Sequence, residues 1–301
     1  MSVAELRARG LDIPAAAVSV WPFERWGYRG GSEYLRRLED DGVRMLWLGE
    51  VPGREAFVGA FASLAATRTL IVGTGVARAL ERTARVAATS AEFLWDAFPH
   101  RYLSGLGVSG ASRDRGVGPG EFLRDYLDEV DHTHEGRGLR VPRVIGAYSP
   151  MLTALARDRA DGLLTFMVTP EHTAWARSTL GPEPFLSVSC RVLLDCGAPD
   201  VYDVARQRLL YYLKLPHQRN KLLRWGFEAA DFYDGGSERL IDAMFAWGSP
   251  DQIVEKLRRH YVAGADQVVL ALDRGPDAEL TGRAAQTVEL LDAEHASLSG
   301  R

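Results

Sequence analysis

The stretch from Pro142 to Trp175, PRVIGAYSPMLTALARDRADGLLTFMVTPEHTAW, holds the pattern that decides the fold. An apolar run at Pro142 to Ala147 gives way at Ser149-Pro150 to an amphipathic segment, and a second run, Gly162 to Val168, gives way at Thr169-Pro170-Glu171 to another. Proline in a first turn, just after Ser or Thr, opens a helix because the missing N–H would be unpaired there anyway. Short apolar runs without alternation are strands covered on both faces, as in parallel sheets joined by crossover helices. Working outward, the same unit recurs about eight times between Ala15 and Leu272. The strands are predicted at Ala15 to Val20, Val43 to Leu48, Thr69 to Val76, Arg101 to Val108, Pro142 to Ala147, Gly162 to Val168, Phe185 to Leu194 and Gln267 to Leu272. This predicts an α/β chain folded as a (β/α)8 TIM barrel, one domain over 1–301. The first helix is expected from Ser32 to Asp40. After the seventh strand come a helix from Asp200 to about Leu213, an irregular stretch from Lys214 to Gly236 and two further helices. The stretch 214–236 is too long for a barrel connection and is predicted to be a lid or interface insertion.

Composition agrees with one large core: 301 residues, 46% hydrophobic, 25% charged, net charge −4. Without a block of like charges, neither nucleic acid nor an anionic membrane is indicated as a partner. The only cysteines, Cys190 and Cys196, have neither zinc nor redox spacing. No secretory segment and no long apolar span are seen, so a cytoplasmic location is expected. Lysine occurs only at Lys214, Lys221 and Lys256, leaving 33 of the 36 basic positions to arginine, as in a GC-rich genome.

In such a barrel the chemistry lies on loops after the strands' C-terminal ends. The loop after strand one, Trp21-Pro22-Phe23-Glu24-Arg25-Trp26, offers Trp21, Phe23 and Trp26 as walls for an apolar ligand and Glu24 as an acid; packing of a rigid loop on a helix explains it equally. Glu50 ends strand two, as a general acid or base or as a structural acceptor. Arg78 and Arg191, if turned inward, can hold a phosphate, carboxylate or enolate oxygen; otherwise they bridge loops. Ser149 is either a helix cap or an anion contact at a helix start. Gly105-Leu106-Gly107-Val108-Ser109-Gly110 matches a dinucleotide fingerprint, but no helix opens at its last glycine. Those glycines fit better as a strand end where backbone approaches a ligand. Alternation sets Cys190 in phase with Leu186 and Val188, and Ser189 with Ser187 and Arg191, so only one set faces the interior. The pair His132 and His134 lacks the further ligands a metal site needs, and none is predicted.

Ile71-Val72-Gly73-Thr74-Gly75-Val76, Gly105-Leu106-Gly107-Val108-Ser109, Val168-Thr169-Pro170-Glu171-His172-Thr173 and Gly264-Ala265-Asp266-Gln267-Val268 resemble the luciferase-like monooxygenase superfamily. Leu215-Pro216-His217-Gln218-Arg219-Asn220 and Gly235-Gly236-Ser237-Glu238-Arg239-Leu240 narrow the resemblance to its F420-dependent oxidoreductases from actinobacteria. The resemblance spans nearly the whole chain. It implies a TIM barrel with an insertion after strand seven, F420 or FMN at the C-terminal mouth, and a homodimer. Gly107, Val108, Ser109 and Ser149 would then approach the cofactor, and Trp21, Phe23, Trp26, Arg78, Tyr148, Cys190 and His217 the substrate, with Glu50, Glu24 and Arg191 catalytic. The chain departs from the pattern in several places. Arg78-Ala79-Leu80-Glu81-Arg82 replaces an Asn and a Trp-Ala-Arg-Asp-Pro segment, Gly110 a histidine, Ser189-Cys190 a Glu-Gln pair, and Tyr148-Ser149 a Leu-Gly pair. Two kinds of enzyme stay open. One moves hydride between F420 or a flavin and a small apolar or natural-product substrate. The other uses no cofactor and catalyses a cyclisation or rearrangement, pericyclase-like, of a polyketide-like precursor. A binding protein without turnover is a third.

Overall fold

A computed structural model describes residues 1–108, 116–136, 138, 140–194, 200–272 and 278–300, with backbone alone at 24–26, 200 and 278–280. The strands are β1 (Ala16–Ser19), β2 (Met45–Leu48), β3 (Ile71–Thr74), β4 (Ala77–Arg78), β5 (Tyr102–Gly107), β6 (Arg143–Gly146), β7 (Gly162–Phe166), β8 (Phe185–Leu194), β9 (Phe245–Gly248) and β10 (Gln267–Leu272). Eight of them form a parallel ring in the order β10, β1, β2, β3, β5, β6, β7, β8, and β8 pairs with β10 to close it. The predicted TIM barrel is the observed fold.

Around the ring run α1 (Val3–Ala8), α2 (Phe23–Asp40), α3 (Ala56–Ala66), α4 (Ala84–Ala97), α5 (Pro119–Glu135), α6 (Pro150–Arg159), α7 (Pro170–Leu180), α8 (Asp200–Leu213), α9 (Pro216–Arg224), α10 (Glu238–Met244), α11 (Pro250–Val262) and α12 (Ala278–Ser299). Their starts follow the local chemistry read above. Ser249 and Gln252 form a capping box on α11, and Thr169 Oγ1 accepts from the His172 amide on α7.

Three boundaries differ from expectation. The third strand does not run to Val76: it ends at Thr74, and after the cis Gly75–Val76 peptide the chain re-forms as β4 beside β5. The helix after β1 begins at Phe23 rather than Ser32, because Gly27, at φ 59°, lets two helical pieces join across a kink. The short β9, which sequence did not reveal, adds to the upper end of β8, Arg191 to Leu194, outside the ring.

The ring is filled by Ala17, Met45, Trp47, Ile71, Leu103, Val144, Leu164, Phe185 and Val269, and its N-terminal end is stoppered by Leu6, Leu11 and Ile13. Trp47 dominates this core, and it fits because position 73 is glycine: a Cβ there would lie 2.5 Å from the indole. Its Nε1 donates to Gln267 Oε1 at 2.8 Å; Ser187 Oγ donates to the same oxygen at 2.9 Å, and Gln267 Nε2 donates to the Pro14 carbonyl. A buried amide left unpaired would cost about 1–3 kcal/mol, so this closed set of bonds lets polar groups stand inside the barrel.

The stretch 214–236 forms α9 and a 3₁₀ turn, Ala229–Gly235. With α8 and α10 it builds a separate apolar core of Val201, Ala205, Leu209, Leu222, Phe232 and Leu240 that meets the barrel through Met167, Leu193 and Phe245. Asp231 ties the turn together, accepting from the Glu228 amide, Ser237 Oγ and the Arg239 guanidinium. Burial opposes its ionisation, but these donors win and bring it down to about 2. Among the described residues no helix is long and apolar enough to cross a membrane, and no cluster of His, Cys, Asp and Glu is placed to hold a metal. His132 and His134, two apart on α5, project to different sides; His134 lies 3.9 Å from Glu92.

Candidate active site

At the C-terminal rim the strand ends fall into two groups. On the β2–β4 side, Glu50 receives the Arg78 amide on Oε2 at 2.6 Å, the Ala56 amide on Oε1 at 3.2 Å, and both terminal nitrogens of Arg82. Arg82 also reaches Glu55 at 2.9 Å and lies over the Phe57 ring. All of the Glu50 carboxylate is thus engaged in joining β2, β4 and α3, which is the structural alternative to an acid or base. Arg78 pairs with Glu81 at 3.0 Å. Trp21 stands on α3, where a Cβ at Gly59 would come within 2.5 Å of its ring, and Phe23 packs against Gly31 of α2 and stacks on Tyr28. Both belong to the layer between barrel and helices, so the aromatic loop serves as packing there. Ser109 lies outside the described residues, as do the side chains of Glu24 and Trp26.

The β5–β6 segment of the rim is floored by Val76. Gly107 and Gly146 lie side by side in register, and a Cβ on either would come 2.5–2.6 Å from the Val76 methyls. These glycines let Val76 lie flat across two strands, with Val108 part-exposed at the end of β5. Next to them α6 begins at Ser149, and here the cap reading does not hold: the Ser149 side chain makes no bond to its own helix. The first-turn amides and this hydroxyl are left to other partners, as in helix N-termini that receive anions.

The β6–β8 side gathers the remaining chemistry. Tyr148, after β6, stacks on His217 of α9 at 6.4 Å, and Lys221, one turn further along α9, holds Nζ 5.0 Å over the same ring. Nζ donates to the Met167 carbonyl at 2.8 Å and the Phe166 carbonyl at 3.2 Å, both at the end of β7. Among the described residues no carboxylate lies within 4 Å of it. Burial without a counter-ion pushes the ammonium down to about 7. Met167 takes φ 50°, a left-handed backbone that a Met adopts only when its surroundings impose it. Arg191, on β8, lies over Phe166 and Tyr212, and donates to the Tyr212 hydroxyl at 2.5 Å. His172, fully buried on α7, meets the Tyr148 carbonyl through Nε2 at 3.2 Å and packs against Trp175 and Trp225. Burial lowers it to about 4, so it is neutral at physiological pH.

The sequence-based candidates therefore divide. Tyr148, His217 and Arg191 come together with Phe166, Met167, Tyr212 and Lys221, whereas Glu50, Arg78, Trp21 and Phe23 lie elsewhere on the rim or in the packing layer. Cys190 is a correction. The inward set on β8 is Ser187, Ser189 and Arg191, and Cys190 faces the helices, buried, with its thiol pushed up to about 12. Lys221 was missed. Its signal was present in composition, since a lysine kept where 33 of 36 basic residues are arginine marks a place where a titratable, compact cation differs from a guanidinium.

This architecture has solved counterparts. The F420-dependent tetrahydromethanopterin reductase of Methanopyrus kandleri superposes with a TM-score of 0.67 at 16% identity, over 93% of this chain and 98% of that one. An F420-dependent secondary alcohol dehydrogenase, solved with an F420-acetone adduct, gives 0.70 at 14% identity, over 92% and 99%. The oxygenating constituent of 3,6-diketocamphane monooxygenase from Pseudomonas putida, solved with FMN, gives 0.66 at 13%, over 95% and 99%. The fold is shared with all three. No protein-family model matches the sequence, and no curated protein matches it either.

Proposed function

We propose that the chain is an oxidoreductase of the luciferase-like type that uses F420 or a flavin at the barrel mouth and acts on a small apolar or natural-product substrate. The observation that carries this reading is the rim between β5 and β8. There an apolar floor, Val76 over Gly107 and Gly146, adjoins an α6 N-terminus with no side-chain cap and two cations held by aromatic rings. A flat ring with an anionic tail fits such a donor set: the floor takes the ring, and Ser149 with the first turn of α6 takes the phosphate. The solved counterparts that bind F420 or FMN support the same choice.

When bound, the cofactor supplies or accepts the hydride. The chain's own residues do the rest. Tyr148, His217 and Trp225 exclude water under the lid, Arg191 orients a carbonyl or hydroxyl oxygen, and Lys221 Nζ holds the proton exchanged at that oxygen near neutral pH. Lys221 also fastens α9 to the end of β7, so substrate entry and the proton-holding group are coupled. We propose as well that the protein pairs with a second copy through α3 and α4, where Val58, Phe61, Val86 and Phe93 form an exposed apolar face.

Thermal shift with F420, FMN and riboflavin tests the reading. Saturable stabilisation by F420 or FMN, with riboflavin weaker than FMN, is expected. Absence of any response from folded protein overturns it.

A further inference from the structure

Lys221 is one of three lysines in a chain that otherwise uses arginine, and it is held in a way that suits a bond-forming amine. An ammonium carries three N–H donors and a neutral amine two. The carbonyls of Phe166 and Met167 accept from Nζ at 3.2 and 2.8 Å. They match the N–H groups of the neutral amine one for one, which leaves the fourth corner of the nitrogen to its lone pair. Burial without a counter-ion favours that unprotonated form, and desolvation of this kind is what turns a lysine into a nucleophile. A guanidinium in the same place would keep its proton.

The remaining neighbour of Nζ is the Tyr148 ring, whose centroid is 5.0 Å away. Non-bonded atoms settle about 3.5–4.0 Å apart, so the nitrogen stands off the ring by more than contact distance. A trigonal carbon bonded to Nζ at about 1.3–1.5 Å would lie about 3.5 Å above the ring, in stacking contact with it. His217, one turn earlier on α9, stacks on the same ring and walls this space. Phe166, Tyr148 and His217 are part-exposed, so the buried nitrogen is reached from the rim between them. The other two lysines differ. Lys256 Nζ stands 4.3 Å from the Trp247 ring, where a bonded carbon would come within about 3 Å of the indole, closer than contact allows. Lys214 is exposed.

We propose that Lys221 forms an imine with aromatic aldehydes. The lone pair of Nζ attacks the aldehyde carbon and a C–N bond forms. The carbonyl oxygen takes up the two amine protons and leaves as water, and the resulting C=N group lies flat on Tyr148 with the aldehyde's ring beside it. Nothing is oxidised or reduced in this step. In hydride transfer the same nitrogen would exchange a proton with a substrate oxygen; with an aldehyde of this shape it takes the carbon instead, and no cofactor is needed.

Benzaldehyde is the probe. The protein, without F420 or flavin, is incubated with benzaldehyde and cyanoborohydride, which reduces an imine to a stable secondary amine, and benzylation is followed at each lysine by peptide mass spectrometry. Lys221 is expected to be benzylated at least tenfold faster than Lys214 and Lys256, and the preference is expected to vanish in urea-unfolded protein. Tyr148→Ala, which removes the ring, should slow labelling at Lys221 at least fivefold and leave Lys214 unchanged, whereas Tyr148→Phe should keep the wild-type rates. The wild-type rates decide alone should Tyr148→Ala fail to fold. Equal rates at the three lysines of folded protein, a preference that survives unfolding, or an undiminished preference in folded Tyr148→Ala would overturn the proposal. Since no cofactor is present, such a result leaves the hydride-transfer reading standing, and a failure of F420 and FMN to stabilise the protein leaves this one standing.

Discussion

On the β2–β4 side of the rim, Glu50 meets Arg82 and two backbone amides; on the β6–β8 side, Lys221 meets two carbonyls and the face of Tyr148, and no carboxylate. Both groups are buried and both sit where a barrel places its chemistry. The first has all its charge answered, so it acts as a strut. The second is held by dipoles and an aromatic quadrupole, which fix its position without neutralising it and leave its proton easily exchanged. Counter-ion pairing, more than burial or position at a strand end, separates the two sides of the rim in this molecule.

That contrast can be broken experimentally. Removing the strut should have the largest effect: Glu50→Gln leaves Arg82 buried without its partner and is expected to cost about 3 kcal/mol in chemical denaturation, with turnover per folded molecule kept. Loss of turnover with little loss of stability would reverse the two roles. Lys221→Met should lower turnover about a hundredfold in folded protein and abolish the limb of the pH–rate profile near 7. Its stability should report the same group. Because the native state holds this proton less tightly than the unfolded chain does, wild-type stability should rise relative to Lys221→Met between about pH 7 and 10.5, seen as a pH-dependent difference in Tm. A pH-independent difference would sink the assignment.

Asp231→Asn should loosen the segment 214–236 by about 2 kcal/mol, measured by hydrogen exchange in α9. In wild type, the contribution of Asp231 should be present above pH 3.8 and lost as pH falls through about 2. Ser149→Ala is expected to weaken FMN about tenfold and riboflavin hardly at all, read by titration; equal loss for both would place the phosphate elsewhere. Phe93→Glu should yield a monomer by light scattering, with a Tm that no longer depends on protein concentration.

Most of the barrel was legible because its signals are local. The apolar runs, and Ser or Thr followed by proline at Ser149, Thr169 and Ser249, each report on a few neighbouring residues. The misses are non-local. Whether Glu50 is free depended on Arg82, 32 positions away, and whether Cys190 faced inward depended on the phase of a whole strand. β9 exists only because β8 runs past the ring and offers an edge to pair with. Lys221 could be singled out as unusual, but that it reaches the Phe166 carbonyl, 55 positions back, is settled by the packing of the apolar core that α9 shares with α8 and α10.

With the ring filled by side chains and its N-terminal end stoppered by Leu6, Leu11 and Ile13, the barrel is open to a ligand at its C-terminal rim alone among the described residues. On the proposed function, a molecule that reacts at that rim would leave by the route through which it came, past the helix that Lys221 fastens. Arrival of one substrate and departure of the previous product then compete for a single passage. Turnover at saturating substrate should consequently slow with solvent viscosity, and an excess of substrate should delay its own product's escape.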